Sequence, residues 1–303
     1  MEFLREPPPG PAPCAVAVGS FDGVHLGHQE ILRRLRERSA AGGLVGTVLT
    51  FEPHPLRVLT RHPPLLLTVL EEKVALLEGM GVSRVVALPF DRELAGMAPA
   101  DFVQDILQRR LDAREVLVGY NFTFGARGEG TAETLCHLGE AAGMRVFVIP
   151  PQEVGGRVIS STLIRERLSR GEVEEAAHLL GRPFSVRSRV VVGEGRGRGL
   201  GFPTANLRLP PEKLLPAEGV YAARVLWRER EWSAVVNLGR RPTFGAGEAA
   251  LEVHLLDFGA DLYGALLEIA FLHFLRPERS FASPAELVLQ IRRDVARARE
   301  LLR

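Results

Sequence analysis

Short apolar runs alternate with amphipathic stretches over the first 150 residues. The run CAVAVG (14–19) ends in a glycine, and a helical periodicity follows from about His25 to Arg38. Beyond it, GLVGTVLTF (43–51), VSRVVALPF (82–90), REVLVG (114–119) and MRVFVIP (144–150) predict strands. Between them VLEEKVALLEGMG (69–81), DFVQDILQRRL (101–111) and TAETLCHLGEAAG (131–143) predict helices. Strands that are apolar throughout, separated by amphipathic helices, imply a parallel sheet covered on both faces. Ligands of such sheets bind beyond the carboxyl ends of the strands. STLIRERLSRG and EVEEAAHLLG (161–181) add two short helices.

The pattern changes near Gly181-Arg182-Pro183. Five strand candidates then follow without helices between them: FSVRSRVVVGEG, GVYAARVLWRER, EWSAVVNLG, ALEVHLLDF and LLEIAFLHFL. One long helix, about 283–302, ends the series, so a small antiparallel barrel with a terminal helix is expected. The change divides the chain into a first domain, 1–181, and a second, 182–303. The length of 303 residues suits about two domains. No internal repeat is visible, and only the first thirteen residues, MEFLREPPPGPAP, are of low complexity.

Composition narrows the function classes. A net charge of +1 gives no reason to expect nucleic acid as a partner. The two cysteines, Cys14 and Cys136, lack the short spacing of a zinc site and are read as small buried apolar groups. The proline-rich start has no apolar core of a signal peptide, and no apolar run approaches the roughly 20 residues that span a bilayer. A soluble cytoplasmic protein with no membrane partner is therefore expected. Two of the 38 basic residues are lysine, Lys73 and Lys213, and the rest are arginine, a bias that fits GC-rich coding and a hot habitat alike.

The first strand runs into GSFDGVHLGH (19–28). Gly19 lets the backbone turn at the strand end. His25 and His28 are three residues apart and share one helix face. Gly27 between them leaves room for a ligand's close approach. A helix N-terminus offers N–H groups and positive potential, so two imidazoles beside it suit a polyphosphate. In ISSTLIR (159–165), Ser160, Ser161 and Thr162 offer hydroxyls at a helix start, and Arg165 one turn on can pair with phosphate oxygens. Simple N-capping accounts for S-S-T as well, and the two roles are compatible. His54 in TFEPHP (50–55) follows the second strand, where a ligand-lining histidine and a plain turn histidine fit equally. In GYNFTFG, Asn121 stands beside Phe122 and Phe124, and core packing suits Phe122 better than Phe124.

GEGRGRGLGFPTAN (193–206) is glycine-rich but is not a P-loop, and no lysine lies near it. Gly197, Gly199 and Gly201 alone would read as a flexible surface loop. Thr204 supplies a hydroxyl and Asn206 a carbonyl oxygen, both hard ligands suited to Mg²⁺. Glu252 lies in the alternating strand LEVHLLDF, where an exposed glutamate is the ordinary reading.

The longer string GSFDGVHLGHQ resembles bacterial bifunctional riboflavin kinase/FAD synthetases, and HxGH after the first strand is the signature of the nucleotidylyl transferase superfamily. Further matches follow in order: TFEPHP, VGYNFTFGARGEG (118–130), ISSTLIR, RGRGLGFPTANL (196–207), GVYA (219–222), NLGRRPTF (237–244) and LEVHLLDF with DLYG (251–264). The resemblance covers roughly residues 13–300. It implies a Rossmann-like nucleotidylyltransferase domain in front, an α/β unit, and a β-barrel riboflavin kinase domain behind. It implies that Gly19, Phe21, Asp22, Gly23, Gly27, Ser160, Ser161 and Thr162 bind nucleotide, and that His25, His28, Asn121 and Arg165 act in adenylyl transfer. Many relatives carry aspartate where Asn121 stands. His54 and Phe124 are then flavin contacts. In the barrel, Gly197, Gly199, Gly201 and Thr204 cover the ATP phosphates, Thr204 and Asn206 hold magnesium, and Glu252 is the catalytic carboxylate. Asp257 and Glu268 are weaker candidates for that base. The implied reactions convert riboflavin and ATP to FMN and ADP, then FMN and ATP to FAD and pyrophosphate. A flavin carrier without catalysis, and an adenylyltransferase for nicotinate mononucleotide or pantetheine phosphate, are the rival readings.

Overall fold

The structure is a computed structural model that describes residues 1–193, 196–240 and 249–303. The chain divides into two compact units, Met1–Ser161 and Thr162–Arg303. The division places the two short helices of 161–180 with the barrel strands.

The first unit is built on six strands: β1 (Glu2–Leu4), β2 (Cys14–Val18), β3 (Val45–Glu52), β4 (Arg84–Pro89), β5 (Ala113–Gly119) and β8 (Arg145–Ile149). Their order in the sheet is β1-β4-β3-β2-β5-β8, and every pairing is parallel. Two short ribbons lie outside it: β6 (Thr123–Phe124) with β7 (Gly130–Thr131), and β9 (Glu153–Val154) with β10 (Arg157–Val158). β2 is buried at every position, as its unbroken apolar sequence requires. Its side chains alternate between two cores. Cys14, Val16 and Val18 face Val103, Ile106, Leu107 and Leu135, while Ala15 and Ala17 face Ile31, Leu32, Leu35 and Leu77. Helices Leu26–Gly42 and Leu70–Gly79 therefore cover one face, and the π-helix Phe102–Arg110 and helix Ala132–Ala141 the other. Since β2 pairs with β3 on one side and β5 on the other, the strand order reverses at its carboxyl end. That is where such a sheet opens a crevice.

β1 is absent from the periodicity because three residues cannot show one. It is fixed by tertiary pairing with Arg84–Val86 and by the Arg84–Glu2 ion pair at 2.5 Å. A second feature without a sequence signal is Glu115 on β5, only 1% exposed. Arg38 from the first helix and Arg145 from β8 both pair with it. The Arg38 guanidinium also lies 3.6 Å from the centre of the Phe147 ring, and its hydrogen bond to Glu115 holds its pKa up. Glu115→Gln removes the charge and keeps the shape. Both arginines reach water, so the cost falls below the ~3–5 kcal/mol of a fully buried pair, at about 2 kcal/mol. Urea unfolding followed by circular dichroism should show a lower midpoint with an unchanged slope. An unchanged midpoint would reduce the triad to a surface ion pair.

The second unit holds helices Ser161–Ser169 and Val173–Leu180 and a closed barrel. The barrel strands are β11 (Phe184–Val191), β12 (Ala205–Arg208), β13 (Gly219–Trp227), β14 (Arg230–Arg240), β15 (Ala249–Leu255) and β16 (Leu266–Arg276). They close in the order β11-β12-β15-β14-β13-β16, antiparallel throughout. The five candidates read from the sequence are all present, and β12 is the addition: its four residues carry the end of the PTAN motif, too short to show alternation. Tyr221 fills the barrel, edge-on to Phe271 and Phe274, and its hydroxyl donates to the Ala217 carbonyl at 2.5 Å. Gly219 has to be bare, because a Cβ there would come 2.6 Å from the Phe274 ring. Helix Pro284–Leu301 packs Val295 and Ala298, with Leu302, onto Val220, Ala222, Val235 and Leu256. It is capped by Ser283 and pinned by Arg276, which binds Asp294 at 2.8 Å.

Candidate active sites

The first site grows from the end of β2. The Gly19 N–H donates to the Leu49 carbonyl at 3.1 Å, and the chain then turns sharply. Phe21, Gly23 and Val24 all have positive φ, at 48°, 86° and 41°. Non-glycine residues held there cost on the order of 1–2 kcal/mol each, and a β-branched residue is rare there. The surroundings fix the strained turn. The buried Asp22 carboxylate accepts from the Leu67 N–H at 3.2 Å and the Thr68 N–H at 3.0 Å. The Gly23 N–H donates to the Thr68 hydroxyl at 3.0 Å, and the Ser161 hydroxyl to the Asp22 carbonyl at 2.9 Å. The last bond joins the ISST segment to the first turn. Thr68 lies 46 residues from Asp22, so no local signal could have singled it out.

The turn delivers His25 as N-cap of helix Leu26–Gly42, its Nδ1 accepting from the His28 N–H at 3.3 Å. The two imidazoles stack, with centroids 3.7 Å apart and planes 16° apart, and the Phe21 ring lies 5.2 Å from His28. A Cβ at Gly27 would sit 3.2 Å from the His25 ring. The missing side chain there therefore makes room for an imidazole, where the sequence suggested room for a ligand.

His54 and Asn121 lie at the same carboxyl edge, after β3 and β5. His54 follows β3, is buried, and caps helix Pro55–Leu59 by accepting from the Leu56 N–H at 3.2 Å. Asn121 follows β5 and is exposed. Phe124 reverses an expectation: it is 8% exposed, packs with Phe102, and leaves no room for a Cβ at Gly130, whereas Phe122 is half-buried. The cause is the β6–β7 ribbon, which turns Phe124 into the core. Ser160 and Arg165 are half-buried and Thr162 is exposed, with Arg165 one turn along helix Ser161–Ser169.

The second site lies on the barrel wall. Along β15, Leu251, Val253 and Leu255 are buried, while Glu252 and His254 are half-buried on the other face. Register puts Glu252 directly opposite Asn206 on β12 and Asn237 on β14. The glycine-rich segment folds back on itself beside them. The Phe202 N–H donates to the Gly197 carbonyl at 2.8 Å, and a Cβ at Gly197 would lie 2.3 Å from the Phe202 carbonyl oxygen. Gly199 and Gly201 are exposed, and Gly201 needs its φ of +84°. A Cβ at Gly193 would meet the Asn206 amide at 2.0 Å. His254 Nδ1 donates to the Pro203 carbonyl at 2.8 Å, which ties the start of PTAN to the strand of Glu252. Sequence reading missed His254, although its i+2 spacing from Glu252 puts both on one strand face. It also missed Glu278, whose carboxylate accepts from Asn237 at 3.4 Å.

The two reserve candidates for the base stand elsewhere. Asp257 is gripped by Arg299 through two bonds of 2.7 Å, which lower its pKa. Glu268 lies on β16 opposite Arg187, and β16 does not adjoin β15. Glu194, Gly195 and the Arg241–Phe244 part of the NLGRRPTF motif lie outside the described residues. Among the described residues, no group of three or more His, Cys, Asp and Glu side chains could hold a metal. The Thr204 hydroxyl and the Asn206 amide oxygen fit a magnesium ion whose other ligands are phosphate and water.

Residues 8–163 match the family described as FAD synthetase, and residues 180–302 the family described as riboflavin kinase. The bifunctional riboflavin kinase/FMN adenylyltransferase of Pseudomonas fluorescens is 41% identical over 289 residues, covering 95% of this chain and 93% of that protein. The protein of the same name from Escherichia coli K12 is 40% identical, covering 95% and 92%. That of Bacillus subtilis is 36% identical, covering 93% and 90%. A solved structure described as a macrolide-efflux protein from Streptococcus pneumoniae superposes with a TM-score of 0.88 at 32% identity, covering 98% of both chains. No helix among the described residues here is long and apolar enough to cross a membrane. With both halves matched in order and the relatives aligned almost end to end, the chain belongs to the family of bifunctional riboflavin kinases/FMN adenylyltransferases.

Proposed function

We propose that the family's two activities divide along the chain, with FMN adenylyl transfer in residues 1–181 and riboflavin phosphorylation in residues 182–303. The chain is a transferase with both activities, a riboflavin kinase and an FMN adenylyltransferase. A riboflavin kinase match over 180–302 sets aside an acceptor such as nicotinate mononucleotide or pantetheine phosphate.

In the barrel, the riboflavin hydroxyl attacks the γ-phosphorus of ATP and ADP leaves. Glu252 takes the hydroxyl proton. Thr204 and Asn206 would hold a magnesium ion, which supplies charge neutralisation at the phosphates. Gly197, Gly199 and Gly201 let the backbone close over them. Within residues 1–181, an FMN phosphate oxygen attacks the α-phosphorus of the second ATP and pyrophosphate leaves, with no covalent enzyme intermediate. His25, His28, Asn121 and Arg165 stabilise the added negative charge. Gly19, Phe21, Asp22, Gly23, Gly27, Ser160, Ser161 and Thr162 seat the nucleotide, and His54 forms part of the flavin wall. ATP and flavins are cytoplasmic metabolites, and the cytoplasm is the proposed compartment.

The observation that carries this reading is the register of Glu252 directly opposite Asn206 in a barrel that matches riboflavin kinases, which supports a base and a magnesium ligand acting side by side. The test is chromatography of riboflavin, FMN and FAD after the intact protein is given riboflavin and Mg-ATP. FMN should appear first and FAD after a lag, and omission of magnesium should stop the first step. FAD formed without any transient FMN, or unchanged riboflavin, would refute the scheme.

A further inference from the structure

Thr68 ends the run LLLT (65–68), two residues ahead of helix Leu70–Gly79. It is 5% exposed, and Leu66, Leu67 and Val69 around it are buried as well. A buried hydroxyl in an apolar segment costs free energy unless it is hydrogen-bonded. This one is used in both directions. It accepts from the Gly23 N–H at 3.0 Å and donates to the Asp22 carboxylate at 3.4 Å. The Thr68 N–H donates to the same carboxylate oxygen at 3.0 Å. Thr68 therefore grips two consecutive residues of the first turn, with main chain and side chain together.

The turn it grips is the strained one. Phe21, Gly23 and Val24 have positive φ, and Val24 is β-branched. Such a backbone persists only where its surroundings over-determine it. Two other clamps come from the motifs themselves. The Gln29 side-chain amide, on the helix that the turn begins, donates to the Val24 carbonyl at 3.0 Å. The Ser161 hydroxyl, in the ISST segment, donates to the Asp22 carbonyl at 2.9 Å. Thr68 belongs to neither motif, and its bond to Gly23 lies two residues from His25.

We infer that Thr68 is a positioning residue for adenylyl transfer: its hydroxyl locks the Asp22–Gly23 stretch and so fixes the direction in which the chain delivers His25 and His28. Glycine rotates freely, so the Gly23 peptide needs an outside hold. With the hydroxyl gone, that peptide turns and the strain at Val24 relaxes. His25 moves with it. His28 follows, because its N–H is bonded to the His25 ring and the two imidazoles stack. A displacement of about 1 Å at a catalytic group is enough to cost about 10²-fold in rate.

The inference rests on adenylyl transfer taking place at this turn, and the experiment separates the two. Intact protein is assayed for FAD formation from supplied FMN at saturating Mg-ATP, with riboflavin phosphorylation measured in the same samples. Thr68→Val keeps the branched shape and the backbone N–H and removes the hydroxyl. It should lower kcat for FAD about 10–10²-fold, leave KM for FMN within about threefold, and spare the kinase. Thr68→Ser keeps the hydroxyl and drops the methyl, and should run within about threefold of the parent. A packing residue would behave in the opposite way, with Thr68→Ser impaired at least as much as Thr68→Val, and that result overturns the inference. So does an unchanged kcat in Thr68→Val, or a loss confined to KM for FMN. Thr68→Ala guards against misfolding. If neither Thr68→Val nor Thr68→Ala folds, the residue is needed for the fold and the inference fails. If His28→Ala leaves FAD formation intact, the site reading itself fails. If His28→Ala abolishes it and Thr68→Val does not lower it, only the role of Thr68 is lost.

Discussion

Glu252→Gln lowers riboflavin phosphorylation by about 10²–10⁴-fold, while the same protein still converts supplied FMN to FAD at the parent rate. Glutamine keeps the length of the side chain and one acceptor oxygen, so the β12–β15 and β14–β15 ladders are untouched. What disappears is the ability to accept a proton from the attacking hydroxyl. Flavin should still bind, so the loss belongs in kcat, read from the initial rate of FMN formation at saturating riboflavin and Mg-ATP. An unaltered rate would remove Glu252 from the mechanism. Its natural replacement would then not be Asp257, which Arg299 already holds. Glu278, reached by Asn237, would be the carboxylate to test next.

His28→Ala produces the complementary result: FAD formation falls about 10²–10³-fold and riboflavin phosphorylation is unchanged. His28 is the cleaner member of the pair to remove. It enters the cap through its backbone N–H, which alanine retains, whereas His25 supplies the capping nitrogen itself. His25→Ala would therefore mix a catalytic loss with a capping loss of about 1 kcal/mol. The measurement is the rate of FAD formation from FMN and Mg-ATP. A parallel loss of both activities in His28→Ala would indicate damage to the fold, and parent-level FAD formation would exclude the HxGH turn from the chemistry.

Residue type and spacing made the scaffold of both sites legible. β2 is apolar at every position because both its faces are covered, and β15 alternates because only one is, so each strand disclosed its surroundings. The HxGH and PTAN segments disclosed themselves because their chemistry sits on contiguous residues. What stayed hidden depends on pairs distant in sequence. Glu252 opposite Asn206 is a register fact, and Thr68 beneath Asp22 joins residues 46 apart. β1 and β12 are too short to carry a period. Phe122 and Phe124, two residues apart at the start of a ribbon, cannot be told apart by hydropathy, since nothing local says which faces inward. Gly27 was read as space for a ligand, and only three-dimensional packing shows an imidazole there.

The distribution of lysine gives the protein a pair of internal probes. Lys73 belongs to the first unit and Lys213 to the second, and both are enclosed. An amine-directed reagent therefore finds no lysine target on the native surface of the described residues. Acylation at Lys73 reports opening of the α/β unit, and acylation at Lys213 reports opening of the barrel. A single labelling time course, resolved by peptide mass, would thus follow the breathing of each half of an unmodified chain separately. If excess FMN slows labelling at one lysine only, the protected position identifies the half that the ligand steadies.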